Sequence, residues 1–485
     1  MAGIGFELKK LFLKKGIMQS AKAYGYTLVI CAGPMLLGIL LLLGITGICT
    51  LADVEAAVRE QLTCMLTYTL LSSVLGTAFF SMVVTRFVSD MLYEDKSYAG
   101  ISSFWGSSVV MLVPGCLCFG VLMLVSGLTL LQQLLCFTFF AELLLTWNSM
   151  TYLSAIKDYK GIFRSYLTAI AIVLLLGGGL LWLGFPPIES MLFALTVGYA
   201  VMFLWNVSLI YGYFPKAGGS AFMFLRWVDT FLPLAFTGLF LNVGMLAHII
   251  IMWFSDIGKC LGGMMYAAPY YDVPAFLAYL TTLVTTVNFV VSVEVNFYPK
   301  YRNHYSLYND NGTISDIKQA EKEMLHVLRV ELFYTALKQL LFTVVCVALG
   351  GALLSMLPLG FNELMRGYFR TLCVAYGVYA VGNAVMLIML YFTDYIGALI
   401  ATSAFTVCSV GFTITSLLCP QVYYGFGFLA ASVVFVAVCV IRLDYYTKRL
   451  PYYILSVQSL TPENNTGIFS RLGVFLERKL ERESK

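Results

Sequence analysis

The sequence predicts an all-α polytopic membrane protein, with about twelve transmembrane helices in two pseudo-symmetric six-helix lobes. Three observations lead there: an apolar composition, apolar runs of spanning length, and a one-sided distribution of basic residues. Of 485 residues, 60% are hydrophobic and 12% charged, whereas soluble domains are about half apolar and a quarter charged. So little charge cannot coat the soluble domains that this length would otherwise suggest, and the apolar surface must face lipid. The net charge of +4 is small, and no block of Lys and Arg interleaved with aromatics offers a nucleic-acid groove. The 12 cysteines are scattered, most of them in apolar runs (Cys31, Cys64, Cys136, Cys346, Cys373, Cys408, Cys439). Cys116 and Cys118 form C-x-C rather than a C-x-x-C redox or zinc spacing, so the cysteines read as small buried hydrophobes.

A bilayer core of ~30 Å takes ~20 apolar residues per helix. Runs of that length fall at 24–49, 62–89, 103–127, 130–155, 164–184 and 188–212. After a polar break they resume at 226–254, 275–298, 329–357, 367–392, 395–418 and 422–443. The start is not a cleavable signal, because Lys9, Lys10, Lys14 and Lys15 interrupt the apolar pattern and the first run carries Pro34. Only a tight turn at Asp394 divides the tenth run from the eleventh. With the N-terminus inside, every one of the 30 Lys and Arg except Arg59, Lys259, Arg366 and Arg370 lies on the cytoplasmic side. A positive-inside bias this strong places both termini in the cytoplasm and the chain in the cell membrane.

Three amphipathic segments lie outside the runs. Residues 4–18 carry Ile4, Leu8, Leu11 and Phe12 on one face with lysines around it, as an interfacial helix does. Residues 313–329 open on the capping box Thr313-x-x-Asp316. Residues 468–482 set Ile468, Leu472, Phe475, Leu476 and Leu480 on one side of a basic helix. All three suit the membrane surface, with a docking surface for a cytoplasmic partner as the alternative. The expected organisation is an amphipathic segment 1–23, a six-helix lobe 24–212, a linker 213–225, a second lobe 226–445 with a helical insert 299–329, and a tail 446–485. Each half has an early proline (Pro34, Pro233), and the second spans end in Leu92-Tyr93-Glu94-Asp95 and Leu307-Tyr308-Asn309-Asp310. Parallel repeats of this kind put a substrate path between the halves.

No P-loop, H-x-x-x-H or G-x-S-x-G is present, so no enzyme activity, metal site or cofactor is expected. Gly177-Gly178-Gly179 reads as close helix packing. The informative residues are polar groups within spans, where they are costly and face cavities. Thr138, Glu142, Ser149 and Tyr152 share a face of the fourth span, lining water or substrate or pairing Glu142 with a neighbouring Arg. In the eighth span Thr281, Thr285, Asn288 and Ser292 form a stripe with Glu294 roughly opposite, so one of the two surfaces must pack on protein. In the seventh, Thr237, Gly244 and His248 align with Asn242 nearby, and His248 serves either the core or proton coupling. Arg86 and Asp90 form a local pair. Aromatics make up 15% of the chain, with 31 tyrosines, and suit interfacial belts or the stacking faces of a sugar.

The opening Met1-Ala2-Gly3-Ile4-Gly5-Phe6-Glu7-Leu8-Lys9-Lys10-Leu11 resembles that of the PelG family, the transporters of the Pel exopolysaccharide system. The resemblance continues through Gly33-Pro34 and Thr85-Arg86-Phe87-Val88-Ser89-Asp90. It is strongest in Leu234-Ala235-Phe236-Thr237-Gly238-Leu239-Phe240 with Asn242 and Gly244, and in Tyr271-Asp272 with Phe276-Leu277-Ala278-Tyr279-Leu280. It extends over Glu294, Phe297, Tyr298 and Tyr301-Arg302 to the Ile317–Met324 helix, about two-thirds of the chain. The family is similar to the multidrug/oligosaccharide-lipid/polysaccharide flippase superfamily, which has two six-helix lobes. The resemblance implies export of a Pel-like polysaccharide, with a cytoplasmic glycosyltransferase and small membrane proteins as partners. Where that pattern leads to Asp-Lys, this chain has His248-Ile249, so Glu142 and Glu294 become the candidates for a cavity charge. The alternatives are a lipid-linked oligosaccharide flippase, a cation-coupled multidrug antiporter, and a membrane scaffold for a polysaccharide synthase.

Overall fold

The computed structural model describes residues 33, 36–214, 218–309, 312–355, 361–456 and 467–483. The expected amphipathic segment 4–18, with Cys31 and Pro34, lies outside them. In chain order the elements are α1 (Leu36–Leu51), α2 (Ala56–Tyr93), α3 (Ala99–Val125), α4 (Leu130–Ala155), α5 (Tyr159–Trp182) and α6 (Pro187–Tyr213). Then come α7 (Phe224–Thr230), α8 (Leu232–Trp253), a hairpin of β1 (Lys259–Gly262) and β2 (Met265–Ala267), α9 (Pro269–Tyr279) and α10 (Thr282–Val291). A π-helical turn, Ser292–Phe297, leads into α11 (Tyr298–Asn309). The remainder is α12 (Ile314–Ser355), α13 (Glu363–Tyr391), α14 (Tyr395–Ser416), α15 (Phe426–Thr447), α16 (Leu450–Ser456) and α17 (Ile468–Glu483). Among the described residues, 11 helical stretches are long and apolar enough to cross a membrane, and α1 is a shorter apolar helix in the first expected run. The all-α polytopic reading therefore stands, run by run.

Local signals set the helix ends. Thr129 and Gln132 make a reciprocal capping box at the start of α4, and the Asn362 side chain accepts from Met365 N at the start of α13. The expected box at Thr313 forms, with Asp316 N donating to Thr313 Oγ1 and the Asp316 carboxylate accepting from Thr313 N. It opens a single 42-residue helix, α12, in which the charged insert and the ninth span are continuous. Proline divides the seventh run: α7 ends at Thr230, and α8 restarts with Pro233 in its first turn, where a missing N–H costs nothing.

One repeat escaped the sequence reading. Asp158-Tyr159-Lys160-Gly161 joins α4 to α5, and Asp394-Tyr395-Ile396-Gly397 joins α13 to α14. The two turns share their main backbone bonds, and only the second adds one from Tyr395 N to Thr393 O. Ile156, Lys157 and Asp158 N donate to Tyr152, Ser154 and Leu153 O, as Phe392, Thr393 and Asp394 N do to Ile388, Leu390 and Met389 O. Lys157 and Thr393 both have left-handed φ, 68° and 61°. Each Asp then caps the next helix, accepting from Gly161 N at 2.9 Å or Gly397 N at 3.0 Å. A Cβ on Gly161 or Gly397 would lie 2.4 or 2.1 Å from its Asp carboxylate, which is why glycine follows three residues after each cap. In the second copy Arg442 closes a bidentate pair on Asp394 at 2.7 and 2.8 Å.

The described residues form two compact units. The first comprises 36–246, 258–269 and 467–483, and the second comprises 33, 247–257 and 270–456. Lipid is as apolar as Leu, so packing and interhelical hydrogen bonds hold such helices together rather than hydrophobic burial. Small residues permit the contact: a Cβ on Gly198 of α6 would meet Val173 at 2.4 Å, and one on Gly427 of α15 would meet Phe412 O at 2.5 Å. The expected packing at Gly177-Gly178-Gly179 holds at Gly177, which abuts Met191, while Gly179 faces open space. Cysteine burial is also mixed. Cys64, Cys136, Cys373 and Cys439 are buried as expected, but Cys118, Cys260 and Cys419 are exposed.

Candidate functional site

In the first unit the polar face of α4 divides. Thr138 is exposed and bonded to its own helix at Leu134 O. Ser149 and Tyr152 are buried and turned into the helix bundle. Ser149 Oγ accepts from Asn206 Nδ2 of α6 at 3.0 Å, and Tyr152 OH donates to Ser103 Oγ of α3 at 3.0 Å. Asn148 Nδ2 donates to Ser107 and Ser108 Oγ, each at 2.9 Å. This network pairs amide and hydroxyl donors that lipid would leave stranded, while Asn148 Oδ1 and Asn206 Oδ1 have no hydrogen-bond partner among the described residues. Its members Ser103, Ser107, Ser108, Asn148 and Asn206 went unread in the sequence. The i, i+4 spacing of Ser103 and Ser107 within an apolar run was the available signal. Glu142 is half-buried, and neither its Oε2 nor Thr146 Oγ1, one turn on, has a hydrogen-bond partner among the described residues. No arginine pairs with Glu142 among the described residues. An apolar cavity of about 460 Å³ lies between α2, α3 and α4, walled by Phe79, Phe80, Pro114, Phe119 and Phe140.

In the second unit the two surfaces of the eighth span separate as that span requires. Asn288 Nδ2 donates to Thr335 Oγ1 of α12 at 2.6 Å, and its Oδ1 accepts from Lys338 Nζ at 2.5 Å. Thr285 Oγ1 donates to Gln339 Oε1 at 2.6 Å, and Asn288 reaches Ser292 Oγ at 3.5 Å. The stripe is thus the surface that packs on protein, and α12 is its partner. Glu294, in the π-helical turn, faces a cavity of about 250 Å³ lined also by Thr282, Thr285, Thr286, Tyr379, Asn383 and Tyr391. Asn383 Oδ1 has no hydrogen-bond partner among the described residues. No Lys or Arg lines this cavity. A carboxylate, an open amide oxygen, hydroxyls and tyrosine rings together offer hydrogen-bond acceptors and flat apolar faces to a donor-rich ligand.

His248 is fully buried in the second unit. Its Nδ1 is 2.8 Å from Tyr271 OH and its Nε2 3.1 Å from Tyr376 OH, with the ring stacked on Phe428 at 4.0 Å. A neutral imidazole has one donor and one acceptor nitrogen, so one tyrosine donates and the other accepts. Both nitrogens are thereby occupied. In the first unit Asn242 Nδ2 and Thr237 Oγ1 bond within α8, to Gly238 O at 2.8 Å and Pro233 O at 2.7 Å. Arg86 and Asp90 pair at 2.9 Å as expected.

A family model described as "PelG: Putative exopolysaccharide Exporter (EPS-E)" matches residues 1–455. The chain belongs to the PelG family. No curated relative matches the sequence. An outward-facing multidrug resistance MATE family transporter of the MOP superfamily superposes with TM-score 0.55 at 12% identity, over 89% of this chain and 97% of its own. A MATE in the bent conformation gives 0.57 at 11% identity, over 94% and 99%. A MOP superfamily transporter from Pyrococcus furiosus gives 0.55 at 11%, over 88% and 96%. At these identities the likeness is one of fold. PelG family membership and the MATE-like fold make this chain a multi-pass membrane transporter rather than an enzyme.

Proposed function

We propose that this PelG-family chain exports a Pel-like exopolysaccharide across the cytoplasmic membrane, along a path between two six-helix lobes. The family match over residues 1–455 carries the reading. The acceptor-lined, tyrosine-walled cavity around Glu294 supports it, because a neutral sugar ring presents hydroxyl donors at its rim and apolar faces to aromatic rings. A flippase for pyrophosphate-linked sugars calls for bases, and this cavity lining has none. The path also draws on the carboxylate of Glu142 in the first unit. The buried Ser149, Tyr152 and His248, the α12-bound Asn288 and its neighbour Ser292 then act as scaffold behind it. A cytoplasmic glycosyltransferase delivers the polymer, small membrane proteins complete the assembly, and both chain termini stay in the cytoplasm.

The test is export of radiolabelled polymer from cells that carry the matching synthase. Glu294→Gln is expected to lower export roughly tenfold, the effect of weakening one charged hydrogen bond of ~1.5–3 kcal/mol, with Glu142→Gln measured beside it. Wild-type export by both variants refutes the charged-cavity reading. Export in cells lacking this chain refutes the transporter reading for this polymer. Loss of output only on deleting 466–485, with both cavity variants silent, identifies a scaffold instead.

A further inference from the structure

The C-terminal helix α17 is fixed to the first unit by a cap that another helix supplies. Asp229 of α7 accepts from Phe469 N at 3.2 Å, Ser470 N at 2.7 Å and Ser470 Oγ at 2.6 Å. The two N–H groups are donors of the first turn, which an α-helix leaves unpaired and which favour a negative charge. Phe469 packs near Phe79 at 6.0 Å, and Gly473 is buried against Phe222 and Leu225. The platform is itself anchored: Trp227 Nε1 donates to Asp90 at 3.0 Å, beside the Arg86–Asp90 pair. Asp90 lies three residues from the end of α2, and Phe231 alone separates α7 from the spanning helix α8. α17 is therefore held at the level where spans end.

Its other face has no partner among the described residues. Ile468, Leu472 and Phe475 are exposed at 82%, 42% and 64%. They stand at i, i+4 and i+7, with exposed Arg471, Arg478 and Lys479 around them. An apolar stripe flanked by long bases, held at the end of a span, matches the headgroup layer: the stripe enters the acyl boundary and the bases reach anionic phosphates. We infer that α17 is an interfacial helix that seats on the anionic phospholipid of the protein's own membrane, with Asp229 setting its place. The occupant is lipid rather than a protein, because a helix fixed at this depth meets the headgroups before anything dissolved in the cytoplasm.

Tryptic cleavage at Arg471, Arg478 and Lys479 tests this, read by mass spectrometry on the full-length chain in nanodiscs. Discs of phosphatidylcholine are compared with discs containing phosphatidylglycerol. Cleavage is expected to slow at least about tenfold in the anionic discs, where the bases are drawn to the charged surface, and to recover in high salt. The triple variant Ile468→Ser, Leu472→Ser, Phe475→Ser keeps the bases and the Asp229 cap, and should lose most of that protection. Asp229→Asn should speed cleavage in phosphatidylcholine while the anionic discs still protect. Equal cleavage of the wild type in both discs overturns the inference. So does protection that appears only when other membrane proteins are added, which makes the occupant a protein.

Discussion

At the scale of single residues, Asp394 and Asp158 separate a cap from an ion pair. Both accept from the glycine three residues on, but only Asp394 also holds an arginine, with its side chain 4% exposed and that of Arg442 26%. Losing a capping side chain costs about 1 kcal/mol, whereas removing one partner of a buried pair costs ~3–5 kcal/mol because the other charge is stranded. Arg442 is partly open to solvent, so the lower end applies. Asp394→Asn should therefore lower thermal stability in detergent clearly more than Asp158→Asn, and equal shifts would mean that the pair contributes little. His248 gives a second case. His248→Ala leaves Tyr271 and Tyr376 hydroxyls without their shared partner, each worth about 1–3 kcal/mol when buried. A lower unfolding temperature is expected, with partial recovery in His248→Gln, which keeps a donor and an acceptor. Sequence alone left His248 between core and proton coupling, since neither tyrosine is near it in the chain.

At the scale of elements, the seam between the eighth span and α12 shows what periodicity can and cannot deliver. The stripe Thr285, Asn288, Ser292 was legible because polar residues at helical spacing in an apolar run are rare and costly. Its partner was not, because Thr335, Lys338 and Gln339 lie some fifty residues on and read as the start of another span. The π-helical turn at Ser292–Phe297, within which Glu294 sits, has no reliable local signal at all. Interhelical hydrogen bonds in membranes average about 0.6 kcal/mol by double-mutant cycles. A cycle on Thr285→Val and Gln339→Leu should give a coupling of that order, and the double variant should be more stable than Gln339→Leu alone, which orphans the Thr285 hydroxyl. Additive losses would show that the 2.6 Å contact carries no net stability.

At the scale of the whole molecule, composition and run length were sufficient for the fold because lipid leaves the backbone few options: a spanning segment must satisfy its own hydrogen bonds as a helix. The paired Asp-Tyr-x-Gly turns add a physical reason to read the chain as a repeat, since the same main backbone bonds and Asp caps recur between the fourth and fifth and between the tenth and eleventh runs. Orientation rests on a different force, the exclusion of Lys and Arg from the outer side, and exposed native cysteines can test it. Cys260 in β1 and Cys419 after α14 are both exposed, and each falls in a loop that the charge distribution places outside. Lys160, after the α4–α5 turn, falls inside. A membrane-impermeant maleimide added to intact spheroplasts should modify Cys260 and Cys419, and should reach a Lys160→Cys variant only after permeabilisation. The opposite pattern would invert the chain, put α17 on the outer surface, and leave a cytoplasmic synthase facing the wrong end of the proposed path.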